Sequence, residues 1–418
     1  MALFQTIRND VGKLCYNYPG TILLPMKEKK AKEEEYPVNE TSCSSKLDPK
    51  EYLKRIEKCR YSRVRRRFAV PVILIDGKLV CRSATLSNPL SSVSENIKQQ
   101  PDPKAEVIHE DNYAMAVEMV KNAATQVVQV ASNIAESTST LLFPETLEEM
   151  HCHDRELLQY LDIDFIFDLM VEKEKVCFVK VSSSEKVKME FYEGFIITQI
   201  PYPGCEFFEE YHRNGRNPEG LKFDWEDPSV TEECKVPASF IKYLRETDYS
   251  QYKDWDLVKI TQEYLFLQLV VITSGSHNAL VHCISGWDRT ALFTCLLRLS
   301  LWADHWIHDE LTPLQMAYLT VGYDWYVFGH NLPVRLRKKE EVMHFCFKFL
   351  GYIASDNFSM TKHWSELPED LKLDRKFPVF IAGDRRKRLE EVQEIVLRLY
   401  DVNIMTTNVP ISTDASRI

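Results

Sequence analysis

Residues 279–301 read ALVHCISGWDRTALFTCLLRLSL, and this stretch decides the fold. An apolar run with strand character, 279–281, enters it, and an apolar pattern at helical spacing, 292–301, leaves it. The residues between them, 282–290, are therefore predicted to form a strand-to-helix turn. Such a turn gathers backbone N–H groups at the positive end of a helix dipole, which is the usual way a protein binds a phosphate group.

The turn carries residues suited to phosphoryl transfer. Cys283 lies in its floor, where the N–H groups and Arg289 should lower a thiol pKa from ~8.5 to roughly 3.5–7.5. Five residues separate Cys283 from Arg289, enough to encircle one phosphate. Thr290 should cap the turn and donate a hydrogen bond to Cys283. A lone Cys-x5-Arg spacing arises by chance and buried cysteines are often only structural, but the flanking His282 and the internal Gly286 favour an anion site.

The nine residues 282–290 resemble the loop of the myotubularin phosphoinositide phosphatases, which reads His-Cys-Ser-Asp-Gly-Trp-Asp-Arg-Thr. Gly286, Trp287 and Asp288 distinguish that family from protein tyrosine phosphatases, and all three are present. Further similarity covers roughly 50–350 and fits a divergent branch of the family. The other similar segments are 71–74, 81–86, 200–208, 297–304 and 323–330.

The resemblance implies hydrolysis of the D3 phosphate of phosphatidylinositol 3-phosphate and of the 3,5-bisphosphate through a phosphocysteine. It implies Cys283 as nucleophile, Arg289 as phosphate ligand and Asp288 as general acid. The residues that it places against substrate are Ile284, Ser285, Gly286, Trp287, Thr290 and Arg335.

Two features of this assignment leave alternatives open. Asp288 could instead be a structural carboxylate that orients Arg289, in which case the reserve acids are Asp227, Asp254 and Asp256. The family also has an arginine where this chain has Asn331. Together with Ile284 and Ser285, that departure weakens the expectation for the bisphosphate more than for the monophosphate. The alternative functions are a protein tyrosine or dual-specificity phosphatase and a weakly active scaffold.

No cofactor or metal is expected. The sequence His151-Cys152-His153 suggests a metal site, but three consecutive residues cannot converge on one tetrahedral ion without ligands from elsewhere. The charge of the loop already suits an anion, so we expect catalysis without a metal.

Composition limits the partners and the compartment. The chain has 418 residues and a net charge of −10, which argues against general binding to nucleic acid. Its eleven cysteines lack a paired-spacing framework, and neither a signal peptide nor a membrane-spanning stretch is recognisable. We therefore expect a cytoplasmic protein recruited peripherally to membranes, which binds phosphoinositide headgroups there and a possible protein partner through its C-terminal tail.

The predicted fold class is α/β, a cysteine-phosphatase-like mixed sheet flanked by helices, with extra helical insertions. The predicted divisions are an N-terminal extension and linker (1–50), a phosphatase domain (51–355, with an insertion at about 86–150) and a polar tail with an amphipathic helix (356–418). The predicted strands outside the loop are 68–75, 78–83, 165–171, 176–181 and 195–200. Five arginines within 59–67 precede the first strand, and we predict either a solvated face or a headgroup-facing patch.

Overall fold

The computed structural model describes residues 4–25, 47–87, 147–172, 174–177, 180–183, 192–275, 277–373 and 376–407. Most of the predicted insertion at about 86–150 lies outside these residues, including 105–137, where apolar residues at helical spacing predict a helix. The proposed division of the chain into domains stays a prediction.

The secondary structure alternates strands and helices, as an α/β fold requires. The strands are β1 (Phe4–Arg8), β2 (Thr21–Pro25), β3 (Val70–Ile75), β4 (Lys78–Ala84), β5 (Leu86–Ser87), β6 (Ile163–Asp168), β7 (Glu174–Cys177), β8 (Lys180–Ser183), β9 (Ile196–Gln199) and β10 (Asn278–Cys283). The α-helices are α1 (Pro49–Cys59), α2 (Leu147–Tyr160), α3 (Phe208–Arg213), α4 (Ala238–Ile241), α5 (Leu257–Ser274), α6 (Arg289–Ala303), α7 (Pro313–Leu319), α8 (Leu332–Lys338), α9 (Val342–Ile353), α10 (Met360–Glu366) and α11 (Asp384–Thr407). A π-helical segment, Thr320–Val327, continues α7. Short 3₁₀ helices lie at Asp10–Gly12, Val64–Arg66, Cys205–Phe207, Tyr249–Asp254, Asp356–Phe358 and Glu369–Leu371.

The main sheet has five strands in the order β3-β4-β10-β6-β9. Strand β3 is antiparallel to β4, whereas β4, β10, β6 and β9 run parallel to their neighbours, so the predicted mixed α/β fold is confirmed. The parallel strands end at one edge, where open α/β sheets usually bind ligands. The central strand β10 ends there with Cys283, which pairs with Ala84 of β4.

Two local predictions have different outcomes. The predicted strands 68–75 and 78–83 leave residues 76–77 between them as a turn. In the structure Asp76 and Gly77 form that turn between β3 and β4, and both have positive φ (47° and 79°), as a two-residue hairpin of this kind requires. The single strand predicted over 176–181 is wrong. Here β7 and β8 are two antiparallel strands, with Cys177 opposite Lys180, and with β5 they form a separate three-stranded sheet.

Helix α5 is a long apolar helix of the core. Its 18 residues are long and apolar enough to cross a membrane, contrary to our expectation that no stretch would be. However, 89% of it is buried inside the fold, as is usual for the core helix of a globular protein. The carboxylate of Asp256 accepts the N–H of Lys259 and caps its N-terminus.

The described N-terminal residues are part of the folded core and form a hairpin, β1–β2. Asn9 is fully buried, and its side chain bonds Cys15 O (2.7 Å) and the N–H of Leu14 (2.8 Å), which shapes the connecting loop. The hydroxyl of Tyr18 donates to Phe68 O (2.6 Å) beside β3. Within 4–25 the chain is therefore packed against the sheet, although the sequence had suggested an extension.

The C-terminal helix α11 packs against α9 and α6 through buried Leu389, Val392 and Val396. Arg385 is also buried, and it pairs with Asp304 at 2.8 Å. The predicted amphipathic helix is thus present. The chain itself covers Leu389, Val392 and Val396, whereas Leu399 is exposed.

Candidate active site

The segment 283–289 connects the end of β10 to the start of α6, so the predicted strand-to-helix turn is present. Gly286 within it has φ +67°, and a Cβ at that position would lie only 2.6 Å from Ser83 O at the end of β4. Its own N–H donates to Cys283 Sγ at 3.3 Å. The close approach of the loop to β4 therefore requires glycine here.

Cys283 is almost completely buried at the base of this loop. Burial opposes ionisation of the thiol, but Arg289 and hydrogen bonds from Thr290 and from the N–H of Gly286 outweigh it and lower the pKa of Cys283. The hydroxyl of Thr290 lies 3.1 Å from Cys283 Sγ. Thr290 contacts the sulfur as predicted. The N-cap position of α6 belongs to Asp288, however, so the capping role predicted for Thr290 is wrong.

Arg289 begins α6 and reaches the two loops that follow β6 and β9. Its Nη1 donates to Leu169 O and to Tyr202 O, both at 2.9 Å. Burial opposes the charge of Arg289, but the Cys283 thiolate and the carboxylate of Glu172 favour it and raise its pKa. The guanidinium is thus held in place by main-chain carbonyls.

Asp288 faces a different set of partners. Its carboxylate accepts a hydrogen bond from His330 Nδ1 (2.9 Å) and from Nη2 (2.5 Å) and Nε (3.3 Å) of Arg335. Burial opposes ionisation, yet His330 and Arg335 outweigh it and lower the pKa of Asp288 to about 2. Arg289 is held by carbonyls, whereas the side chain of Asp288 bonds His330 and Arg335. The partners that Asp288 orients are His330 and Arg335.

Arg335, predicted to contact substrate, is engaged by acidic groups on both sides. Besides Asp288, it forms an ion pair with Glu340. Asn331, which replaces an arginine of the family pattern, caps α8 by accepting the N–H of Val334 at 3.3 Å. Asparagine at this position therefore stabilises the start of α8.

The remaining predicted contact residues lie around the loop. Ile284 and Ser285 are half-buried, and Ile284 O approaches the N–H of Thr85 at 3.4 Å. Trp287 is also half-buried, and the guanidinium of Arg65 lies 3.8 Å from the centre of its ring. A cation on an indole face at this distance is attracted by the ring quadrupole.

The reserve acids serve other segments. Asp227 is exposed and accepts the N–H of Ser229 at 2.8 Å, and Asp256 caps α5. Asp254 is exposed at the end of a 3₁₀ helix. The structure gives none of them a contact with the loop within the ranges that it describes.

Two of the five arginines before β3 have structural roles in the core. Arg63 is fully buried and binds both carboxylate oxygens of Asp154 (2.9 and 2.8 Å). Arg67 is also fully buried and reaches Gly286 O at 3.2 Å. Neither a solvated face nor a headgroup-facing patch describes these two residues, so that prediction is wrong for them. No sequence signal separated them from the half-buried Arg60, Arg65 and Arg66.

The possible metal site does not assemble. His151, Cys152 and His153 lie on α2, with His151 buried and Cys152 exposed. Within the described ranges, no group of three or more His, Cys, Asp or Glu side chains is placed to hold a metal ion.

The chain is similar in sequence to known proteins. No protein-family model matches the chain. It is 40% identical over 372 residues to phosphatidylinositol-3,5-bisphosphate 3-phosphatase MTMR14 of Mus musculus, a match covering 87% of this chain and 53% of that protein. It is 40% identical over 364 residues to the protein of the same name from Homo sapiens, covering 86% of this chain and 52% of that protein. The chain spans about half the length of these curated relatives.

Proposed function

The chain belongs to the myotubularin family, and from that premise we propose that it is a phosphoinositide 3-phosphatase. Its substrates are phosphatidylinositol 3-phosphate and the 3,5-bisphosphate. One observation carries the proposal: a buried thiol with a lowered pKa lies between the hydroxyl of Thr290 and the N–H of Gly286, at the start of a helix that begins with Arg289. This arrangement suits a cysteine nucleophile facing a phosphate dianion.

The reaction begins with attack of the Cys283 thiolate on the D3 phosphorus. The S–P bond forms as the bond from phosphorus to the inositol oxygen breaks. Because the Nη1 group of Arg289 is occupied by carbonyls, its Nε and Nη2 are the edge available to the equatorial oxygens. Water then attacks the phosphocysteine, releasing inorganic phosphate and restoring the thiolate.

The leaving inositol oxygen needs a proton, and Asp288 is the donor that we propose. In the free protein its carboxylate is held ionised by His330 and Arg335. A phosphate dianion arriving beside it competes for Arg335 and repels the second negative charge, and both effects raise the pKa of Asp288. Substrate binding therefore favours the protonated form of Asp288, which is the form that can donate a proton.

Binding of the D5 phosphate of the bisphosphate should be less favourable than binding of the D3 phosphate. Arg335 is the matched family arginine, and it forms ion pairs with Asp288 and Glu340. Binding a second ring phosphate there requires Arg335 to leave one of these partners. We therefore propose that the monophosphate is the better substrate. We also propose that the protein is cytoplasmic and binds membranes peripherally, where it meets this lipid. A further protein partner remains a proposal for the C-terminal segment.

Phosphate release from a panel of short-chain phosphoinositides and a phosphotyrosine peptide tests the function. Cleavage confined to 3-phosphorylated lipids, abolished in Cys283→Ser and retained in Cys59→Ser, is expected. Cys59 is a matched control because it is buried in α1, away from the loop. Preferential cleavage of the peptide would establish a protein phosphatase instead, and inactivity on the whole panel would favour a scaffold.

A further inference from the structure

Two buried arginines from outside the loop meet at one of its carbonyl groups. Gly286 O accepts hydrogen bonds from Arg82 Nη2 (2.9 Å) and Arg67 Nη2 (3.2 Å). Arg82 lies on β4, next to the strand that ends at Cys283, and Arg67 lies just before β3. Both side chains are at most 1% exposed, so these bonds are shielded from solvent.

The other partners of these guanidiniums are neutral. Arg82 donates to Asp324 O at 2.7 Å and lies over the ring of Phe328, while Arg67 donates to Phe328 O and lies near the ring of Tyr18. Within the described ranges, neither forms an ion pair with a carboxylate, and Nε and Nη1 of Arg67 have no hydrogen-bond partner. Burying two positive charges in this way is costly unless an anion balances them.

The bonds also fix the direction of one peptide group. In a planar trans peptide the C=O and the following N–H point in opposite directions. Holding Gly286 O toward the two arginines therefore aims the N–H of Trp287 away from them. On the other side of Gly286, its own N–H points to Cys283 Sγ. Successive N–H groups turned to one side form a concavity that binds anions.

We propose that Arg67 and Arg82 are positioning residues of the phosphate site, which turn the Gly286–Trp287 peptide so that its N–H donates to the phosphoryl group and place uncompensated positive charge beneath it. The proposal rests on the proposed function and identifies the source of the anion affinity. The ligand chemistry is a tetrahedral oxyanion, for which tungstate is the probe.

Charged groups from several elements lie near the sulfur of Cys283 and act on its ionisation together. Arg289 lies at the start of α6, Asp288 is the preceding residue, and Glu172 follows β6. The Cys283 thiolate favours the charged form of Arg67, and the interaction is reciprocal. Removing Arg67 should therefore make the thiol harder to ionise, and we expect the same direction for Arg82, whose guanidinium bonds the same carbonyl.

Arg82→Met and Arg82→Lys separate charge from geometry. For Arg82→Met we expect tungstate inhibition to weaken about 10- to 100-fold. We also expect the pH midpoint of iodoacetamide labelling at the Cys283 peptide to rise by about one unit. In Arg82→Lys the charge remains but the planar fork is lost, so the labelling midpoint should stay near that of the parent while tungstate inhibition still weakens about tenfold.

Arg298→Lys is the matched control. Arg298 is equally buried and bonds the carboxylate of the same Asp324 as well as Val72 O. In the part of the chain that the structure describes, none of its hydrogen bonds goes to the loop. It should leave both readouts unchanged. If Arg82→Met fails to fold, Arg82→Lys and Arg67→Lys decide. Parental tungstate inhibition in both lysine variants, or equal losses in the Arg298→Lys control, would overturn the proposal. An inactive parent that still binds tungstate would instead refute the proposed function alone.

Discussion

Replacing Asp288 by asparagine tests the proton donor. With a pKa of about 2, roughly one Asp288 carboxyl in 10⁴ is protonated at pH 6 in the free protein. A general acid typically contributes about 10²–10⁴-fold, so this protonation cost would cancel the benefit unless the bound phosphate raises the pKa. If Asp288 is the acid, Asp288→Asn should slow cleavage of an inositol phosphate by about 10²–10⁴-fold. An aryl phosphate, whose phenolate leaves without protonation, should lose about tenfold or less.

The pH profile gives the same test an independent readout. The acid must be protonated, so the parental kcat should fall as pH rises through the pKa of Asp288 in the substrate complex. The variant has no proton to lose there, and its basic limb should be flat. The matched control is Glu340→Gln, which removes the other acidic partner of Arg335 and leaves Asp288 intact. We expect this control to affect both substrates equally. Equal losses on both substrates in Asp288→Asn would refute the assignment, because Asp288 would then act only by holding Arg335 and His330.

Three further substitutions test the loop and its support. Arg289→Lys should reduce kcat/KM by at least about 10²-fold, because an ammonium cannot replace a bidentate fork, and near-parental kinetics would contradict the phosphate role. Gly286→Ala should abolish turnover, since its Cβ would meet Ser83 O at 2.6 Å; an active variant with parental thermal stability would show that the loop tolerates the side chain. Arg63→Met should lower the free energy of unfolding by about 3–5 kcal/mol, because Asp154 would be left as a buried unpaired charge, and a denaturation midpoint equal to that of the parent would contradict this.

The features that the sequence predicted well are those set by short-range patterns. Strand character before Cys283 and helical periodicity after Arg289 locate the loop, and the Asp76–Gly77 pair locates a hairpin. These patterns depend on backbone preferences and on side-chain spacing within one element. The apolar residues at helical spacing over 342–353 likewise predict a helix, and the structure has one there, Val342–Ile353.

The features that sequence could not predict depend on distant partners. Arginine is almost never fully buried without a paired acid, and Gly286 lies 219 residues from Arg67 and 204 from Arg82. The basic stretch 59–67 therefore suggested surface residues, whereas Arg63 and Arg67 lie in the core. Asp288 was correctly located in the loop, but its partners, His330 and Arg335, lie 42 and 47 residues away. Its charge state depends on them, and no local pattern reveals it.

The β1–β2 hairpin has a consequence for the order in which the protein matures. Tyr323 Oη donates to Leu23 O, and these residues are 300 positions apart. At a synthesis rate of ~5–20 residues per second, the hairpin waits roughly 15–60 s for that partner to emerge from the ribosome. A two-stranded hairpin is marginally stable alone, so until then it depends on the segments made soon after it, such as β3 and the nearby Phe68, whose carbonyl accepts the hydroxyl of Tyr18. The contact that joins the hairpin to the segment after α7 therefore forms only late in synthesis.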